Sequence, residues 1–434
     1  MCMSKEIINP KYKSNDISLY KYYAGFSNEF VAKILSDYPV TNMAILDPWN
    51  GSGTTTRMSA IAGVHSVHGF DINPVMIIIA SAELLDINEY REITFNSARC
   101  FNNQDILNDP LEQWFTKTSI RNIRNVEMEF RNILLPEKQL SPSYFLLKEM
   151  SDFNVLANNR LLAFYYLVFF ETVKKIAKKF KSSNPTWIKV AKTQDEKIKI
   201  SQKDFENEFL NKLREKARIL KSKSKILSKQ IELSTADSRN LLIEDSSIDL
   251  VVTSPPYCTR IDYTISTRIE LAILGLDQNG QLEDLRKKMI GTTKIIKDEL
   301  ISIGLYSDTA KKFMSEVYNH SSKASITYYY QQFSQYFDGI TQSISELNRV
   351  CKCDAKIYIV VQNSYYKDIQ LKISDIFKEI FSKFGWEISA QRDFEKKQSM
   401  VGVNQRAKKY RVVTNPKESV LVFERRISNE NRRN

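Results

Sequence analysis

Met43-Ala44-Ile45-Leu46-Asp47-Pro48-Trp49-Asn50-Gly51-Ser52-Gly53-Thr54-Thr55-Thr56 decides the fold. Its first five residues read as a buried strand, and an apolar helix pattern from Met58 to Ile61 follows the small-residue turn. Glycines at 51 and 53 let the backbone approach a ligand closely. Outward from this stretch, Val64 to Phe70 reads as a second strand that delivers Asp71, within Gly69-Phe70-Asp71-Ile72-Asn73-Pro74. An acid at the end of a second strand, about 20 residues past a glycine turn, is placed to catch the ribose hydroxyls of a nucleoside cofactor. No third glycine stands where a dinucleotide fingerprint needs it, and no Gly-Lys-Ser/Thr follows to make a P-loop.

A second decisive stretch lies far along the chain. The apolar pattern Ile248-Asp249-Leu250-Val251 runs into Val252-Thr253-Ser254-Pro255-Pro256-Tyr257-Cys258. A strand ending in a hydroxyl, two prolines and an aromatic sets a stiff backbone at the carboxyl edge of a sheet, where open α/β sheets bind ligands. Proline fixes φ and donates no hydrogen bond, so the carbonyls of Ser254 and Pro255 stay free to accept protons. With the flat face of Tyr257 they suit a planar heterocycle bearing an exocyclic amine, which is how extruded nucleobases are held. Alone, Pro-Pro-Tyr reads equally well as a turn or a polyproline ligand. The glycine turn elsewhere in the chain breaks that tie.

Asp47-Pro48-Trp49-Asn50-Gly51-Ser52-Gly53-Thr54-Thr55 resembles the AdoMet-binding motif I of the DNA amino-methyltransferases, and Thr253-Ser254-Pro255-Pro256-Tyr257 resembles their catalytic motif IV. Tyr22-Tyr23-Ala24-Gly25-Phe26-Ser27 is similar to motif X, and Ala236-Asp237-Ser238-Arg239 to motif III. The resemblance implies S-adenosyl-L-methionine as cofactor, held by Tyr23, Phe26, Asp47, Pro48, Gly51, Ser52, Gly53, Thr54, Asp71, Ile72 and Asp237. It implies Ser254, Pro255, Pro256 and Tyr257 as the catalytic loop. The serine form of motif IV is typical of the family's cytosine-N4 enzymes, so N4 ranks first, adenine N6 second and an RNA amine third. A catalytically silent AdoMet- and DNA-binding subunit is the competing class, and retention of both intact motifs counts against it. The implied fold is α/β and Rossmann-like, a mostly parallel doubly wound sheet with Ser419 to Phe423 as an antiparallel edge strand. The turn Cys351-Lys352-Cys353-Asp354-Ala355 departs from the family's usual Lys-Pro-Gly-Gly.

The division expected is residues 1–90 and 231–434 for the methyltransferase domain and 91–230 for a mainly helical basic insertion serving DNA recognition. A smaller excursion falls at about 265–327. The formal charge of +12 favours a polyanion, and it is local: from Glu171 to Gln230 there are 18 Lys and Arg against 7 Asp and Glu. A solvated lysine-rich helix is the plainer reading of any such run. Here a turn, Ser182-Ser183-Asn184-Pro185-Thr186-Trp187, interrupts it with an aromatic. Trp187, Lys189, Arg260, Tyr263 and Arg268 are the residues expected to meet double-stranded DNA, Tyr365 or Tyr366 a border of the base pocket. Leu161 to Phe170 is an apolar run of 10 residues, too short to span a bilayer and best read as a buried helix. Lys203 to Gln230 reads as a long surface helix with Phe205, Phe209, Leu213 and Leu220 on one face.

Three histidines and five cysteines form no metal-ligand spacing, and no metal is expected. Cys258 is read as lining the site rather than as a nucleophile, because methylating an amine needs no covalent intermediate. The odd cysteine count and the absence of a signal or membrane segment point to the cytoplasm. A cognate restriction endonuclease is the protein partner that the resemblance leaves open.

Overall fold

The computed structural model describes residues 6–11, 17–20, 22, 25–95, 108–135, 150–182, 187–258, 262–276, 280–296, 307–395 and 417–426. Its centre is a seven-stranded sheet. Five strands are parallel: β1 (Ala44–Asp47), β2 (Ser66–Asp71), β3 (Gln230–Thr235), β4 (Ile248–Thr253) and β5 (Cys351–Gln362). A separate hairpin, β6 (Ser364–Tyr366) and β7 (Ile369–Leu371), follows, and then β8 (Trp386–Glu395) and β9 (Lys417–Arg425) return to the sheet. The spatial order is β3-β2-β1-β4-β5-β9-β8. The chain therefore runs outward one way from β1 through β2 to β3, and the other way from β4. The C-terminal ends of β1 and β4 lie side by side at this reversal, the place where an open α/β sheet offers a crevice.

Short helices cover the sheet. Ser27 caps α1 (Asn28–Leu35) by accepting from the Phe30 N–H. Helix α2 (Thr54–Ala62) starts directly after the glycine turn and ends at Gly63, whose φ of +75° closes it with bonds to Ser59 and Ala60 carbonyls. Asn73 caps α3 (Pro74–Glu83), and all ten residues of that helix are buried. It is covered on both sides, by the sheet and by the inserted helices.

Those helices are α4 (Lys117–Leu134), α5 (Met150–Asn158), α6 (Arg160–Ile176) and α7 (Gln202–Lys221). The ten-residue run 161–170 is buried throughout, within α6. Phe205, Phe209, Leu213 and Leu220 form the buried face of α7, which ends at Lys221 rather than continuing to Gln230, where β3 begins. Phe130 gathers the core, stacked on Phe209 at 5.9 Å and edge-on to Tyr166 at 5.2 Å and Phe169 at 5.6 Å. This core is continuous with Val75, Met76, Ile78 and Ile79 of α3 and with Ile269 to Leu274. Fully buried Arg124 ties the two parts together. Its guanidinium bonds to Asp109 and Glu127, and also to the carbonyls of Ile273 at 2.7 Å and Ala272 at 3.3 Å. Glu83, at the end of α3, likewise accepts from Lys223, Ser18 and the Tyr20 N–H.

Two expectations about the sheet change. Strand β9 is antiparallel as expected, but it lies inside, between β5 and β8; the edge is β8. Most side chains of β8 are exposed, so its sequence lacks the apolar alternation that marks a strand. Cys351 to Ala355 is not a turn but the start of β5. Cys351 pairs with Ile248 and Lys356 with Leu250, so the residues between them bulge out of register.

Candidate active site

One cleft opens over the C-terminal ends of β1, β2, β3 and β4. Its walls include Phe26, Asp47, Gly51, Asp71, Asp237 and Ser254 through Tyr257. The turn after β1 is held by the acid that ends β2: Asp71 Oδ2 accepts from the Gly51 N–H at 2.9 Å, and Oδ1 from the Asn73 N–H at 2.8 Å. Each oxygen keeps a lone pair, the capacity needed for a diol. Burial pushes the Asp71 carboxyl up to about 6 against those two bonds. Gly51 has φ of +50°, and a Cβ there would sit 3.2 Å from the Tyr22 ring, so any larger residue would fill the cradle.

The glycine turn and the start of the 254–257 loop are bonded to each other. Thr253 Oγ1 donates to Asp47 Oδ1 at 2.5 Å, across the neighbouring ends of β4 and β1. The Trp49 N–H donates to the same oxygen at 3.2 Å. Asp47 is 2% exposed, and burial pushes its carboxyl up to about 6 despite the hydrogen bond from the Thr253 hydroxyl.

In the 254–257 loop the Ser254 hydroxyl donates to the Val360 carbonyl of β5 at 3.0 Å. Donating there leaves the lone pairs of Oγ able to accept. Tyr336 Oη donates to the Pro256 carbonyl at 3.1 Å and Tyr257 Oη to Glu418 Oε1 at 2.6 Å. Among the described residues no donor reaches the Pro255 carbonyl. The loop thus holds a hydroxyl acceptor, a free carbonyl acceptor and a tethered ring.

Phe26, Pro48, Ser52, Thr54 and Ile72 stand on the cleft wall, as do Pro255 and Pro256. Tyr23 lies outside the described residues; its neighbour Tyr22 lines the cleft. Gly53 does not. At φ of +86° it caps α2, and a Cβ there would meet Ala80 Cβ at 2.7 Å, so its smallness serves the contact with α3. Asp237 is on the wall, but Arg239 grips it with Nε at 2.9 Å and Nη2 at 2.6 Å, leaving little acceptor capacity.

The residues expected at DNA separate. Trp187, 48% exposed, and Lys189 are both at the surface, where the Lys189 N–H and carbonyl bond to the Phe180 carbonyl and Trp114 Nε1. Arg260 lies outside the described residues, as does the turn at 183–186. Tyr263 is in the cleft wall, where its Oη accepts from the Tyr257 N–H at 3.4 Å and burial pushes the phenol up to about 12. Arg268 lies over the Trp114 ring, 5.9 Å from its centroid, at the seam with the inserted helices. Tyr366 is buried among His320, Tyr329 and Phe333, away from the cleft wall. Cys258 sits behind the wall rather than on it, and burial raises its thiol far above the range in which a thiolate forms.

Sequence reading missed Tyr336, Glu418 and the Lys288-Met289-Ile290 wall. Each comes from an element distant in sequence and carries no motif. Among the described residues no cluster of His, Cys, Asp and Glu could hold a metal ion, and no helix is long and apolar enough to cross a membrane.

The strand order, the glycine turn and the acids at successive strand ends define a Rossmann-like methyltransferase fold. Known proteins similar to the chain agree on the class. Type II methyltransferase M.BsoBI of Geobacillus stearothermophilus is 24% identical over 423 residues, covering 85% of this chain and 78% of that protein. Type II methyltransferase M.MvaI of Kocuria varians is 23% identical over 360 residues, covering 78% and 74%. Type II methyltransferase M.AvaI of Anabaena variabilis is 22% identical over 407 residues, covering 85% and 78%. No family model matches the chain. Among solved structures, the [4+2]-cyclase SpnF overlaps loosely, with TM-score 0.33 and 8% identity over 92% of this chain and 81% of that one. Fold, cleft and relatives support an AdoMet-dependent methyltransferase, with S-adenosyl-L-methionine as its cofactor.

Proposed function

We propose that the protein is a site-specific DNA methyltransferase acting on the exocyclic N4 amine of cytosine in a flipped-out base, in restriction-modification or phage defence. The observation that carries this reading is the Ser254 hydroxyl. Donating to the Val360 carbonyl, it keeps lone pairs that can accept, on the residue next to the free Pro255 carbonyl. Two acceptors on adjacent residues suit the two N–H groups of an exocyclic amine, and the tethered Tyr257 ring suits the face of the base. Serine at this position, rather than a carboxylate, is the feature that the family resemblance ties to cytosine.

The residues fit the cofactor. Asp71 offers acceptors to a ribose diol, Gly51 gives close backbone approach, Phe26 and Pro48 supply apolar walls, and Asp47 faces the cleft as a carboxylate. Bound there, AdoMet supplies an electrophilic methyl group on a sulfonium leaving group. The chain's own part is position and electrostatics. Ser254 Oγ and the Pro255 carbonyl accept the amine protons and draw its lone pair out of conjugation with the ring. Tyr257 fixes the base plane.

The duplex would be gripped by the inserted helices. Of the 18 Lys and Arg between Glu171 and Gln230, Lys174, Lys175, Lys212, Lys216 and Lys223 are in ion pairs with Glu270, Glu208, Glu171, Glu215 or Glu83. Exposed Lys178, Lys179, Lys181, Lys189 and Lys192 are available for phosphates.

Mass spectrometry of nucleosides from plasmid DNA incubated with methyl-labelled AdoMet tests the reading. N4-methylcytosine is expected, and Ser254→Ala should abolish it while leaving DNA binding intact. N6-methyladenine would overturn the base, and label in neither base would overturn DNA as the substrate.

A further inference from the structure

Glu418 belongs to none of the motifs that define the site. It lies in β9, between Gln362 of β5 and Phe394 of β8, and is 2% exposed. A carboxylate buried this deeply is costly unless strongly hydrogen-bonded. Its bond is to the catalytic loop: Tyr257 Oη donates to Glu418 Oε1 at 2.6 Å. The same oxygen faces Lys11 Nζ at 3.9 Å, and Lys11 Nζ donates to the Gly25 carbonyl at 2.5 Å, on the other wall of the cleft. One buried acid thus stands behind both walls.

Two consequences follow from ordinary chemistry. A tyrosine tethered at its hydroxyl cannot swing, so its ring plane is set before a base arrives. A phenol donating to a carboxylate also has a more electron-rich ring. As the amine lone pair bonds to the methyl carbon and the carbon–sulfur pair returns to sulfur, positive charge passes onto the base. An electron-rich ring face attracts such charge. The attraction is absent from the neutral base, so it acts on the rate more than on binding.

We propose that Glu418 is a positioning residue that locks the Tyr257 ring and strengthens its hold on the base as the base becomes cationic. This rests on the reading of Tyr257 as the stacking residue. Glu418→Gln keeps the shape and an acceptor for Tyr257 Oη, and removes the charge. It should lower the single-turnover rate of methyl transfer to plasmid DNA about tenfold or more, the worth of a charged hydrogen bond. AdoMet affinity by calorimetry and DNA affinity should stay within twofold of wild type. Tyr257→Phe should lose a similar factor, and the double variant should be no worse than the poorer single one. A wild-type rate for Glu418→Gln, or losses that multiply in the double variant, would overturn the proposal.

A second readout does not depend on turnover. In protein labelled with 3-fluorotyrosine, the resonance missing from Tyr257→Phe should shift and broaden in Glu418→Ala. An unmoved resonance would refute the tether. A resonance that moves in a protein that methylates no DNA would uphold the tether and refute the substrate.

Discussion

Replacing Asp47 with Asn should make the fold more stable and cofactor binding weaker. A carboxyl raised from its ordinary 3.8 to about 6 prefers the neutral form in the fold by about 3 kcal/mol. Above pH 7 the acid is charged in both states, and folding bears that cost. Because the folded value lies above the unfolded one, the folded chain takes up a proton as pH falls through 6. The stability this brings is complete below about pH 4 and lost as pH rises through 6. Asparagine removes the charge and keeps the bonds. Its Oδ1 can accept from Thr253 Oγ1 and the Trp49 N–H, while its amide can donate to Thr55 Oγ1, whose proton is already given to the Val252 carbonyl. Urea unfolding at pH 7.5 should therefore show Asp47→Asn ahead by about 3 kcal/mol, with the advantage falling to about half near pH 5. Calorimetry at pH 7.5 should show weaker AdoMet binding by the same variant. An advantage independent of pH, or a loss of stability at pH 7.5, would refute the argument that burial of charge at Asp47 is held against the fold for function.

Changing Lys178, Lys179, Lys181, Lys189 and Lys192 to Gln should flatten the dependence of DNA affinity on salt, by about 0.9 in the log–log slope for each residue that meets a phosphate. Changing Lys175 and Lys212, which are already ion-paired, should not; filter binding across a salt series separates the two sets. Arg124→Met would strand Asp109 and Glu127 as buried charges and should cost about 3–5 kcal/mol in chemical unfolding, a loss under 1 kcal/mol being inconsistent with the network described.

What was legible in the sequence was local. The strand ending at Asp47, the acid at 71 and the loop at 254–257 each announce themselves within ten residues, because a turn's backbone demands and a strand's apolar pattern are written where they act. The strand β8 was missed because one exposed edge carries no alternation. The contacts of Gly53 with Ala80 and of Arg268 with Trp114 could not be read, because those neighbours are distant in sequence. Glu418 was invisible for the same reason: it meets Tyr257 only because β4 and β9 flank β5 in the sheet, across a separation of 161 residues.

The core shared by α3 and the inserted helices has a consequence for anyone who would retarget this protein. An inserted region joined by flexible tethers could be exchanged between relatives as a cassette. Here the seam passes through a single apolar interior and a buried guanidinium that grasps the backbone at 272–273. Cutting at either end of the insertion would expose α3 and leave carbonyls bare, so a chimera must carry its own α3 face and the helix Arg268–Ile273 with it. The inserted helices and the sheet that carries the cleft should melt in one transition, and should have had to change together.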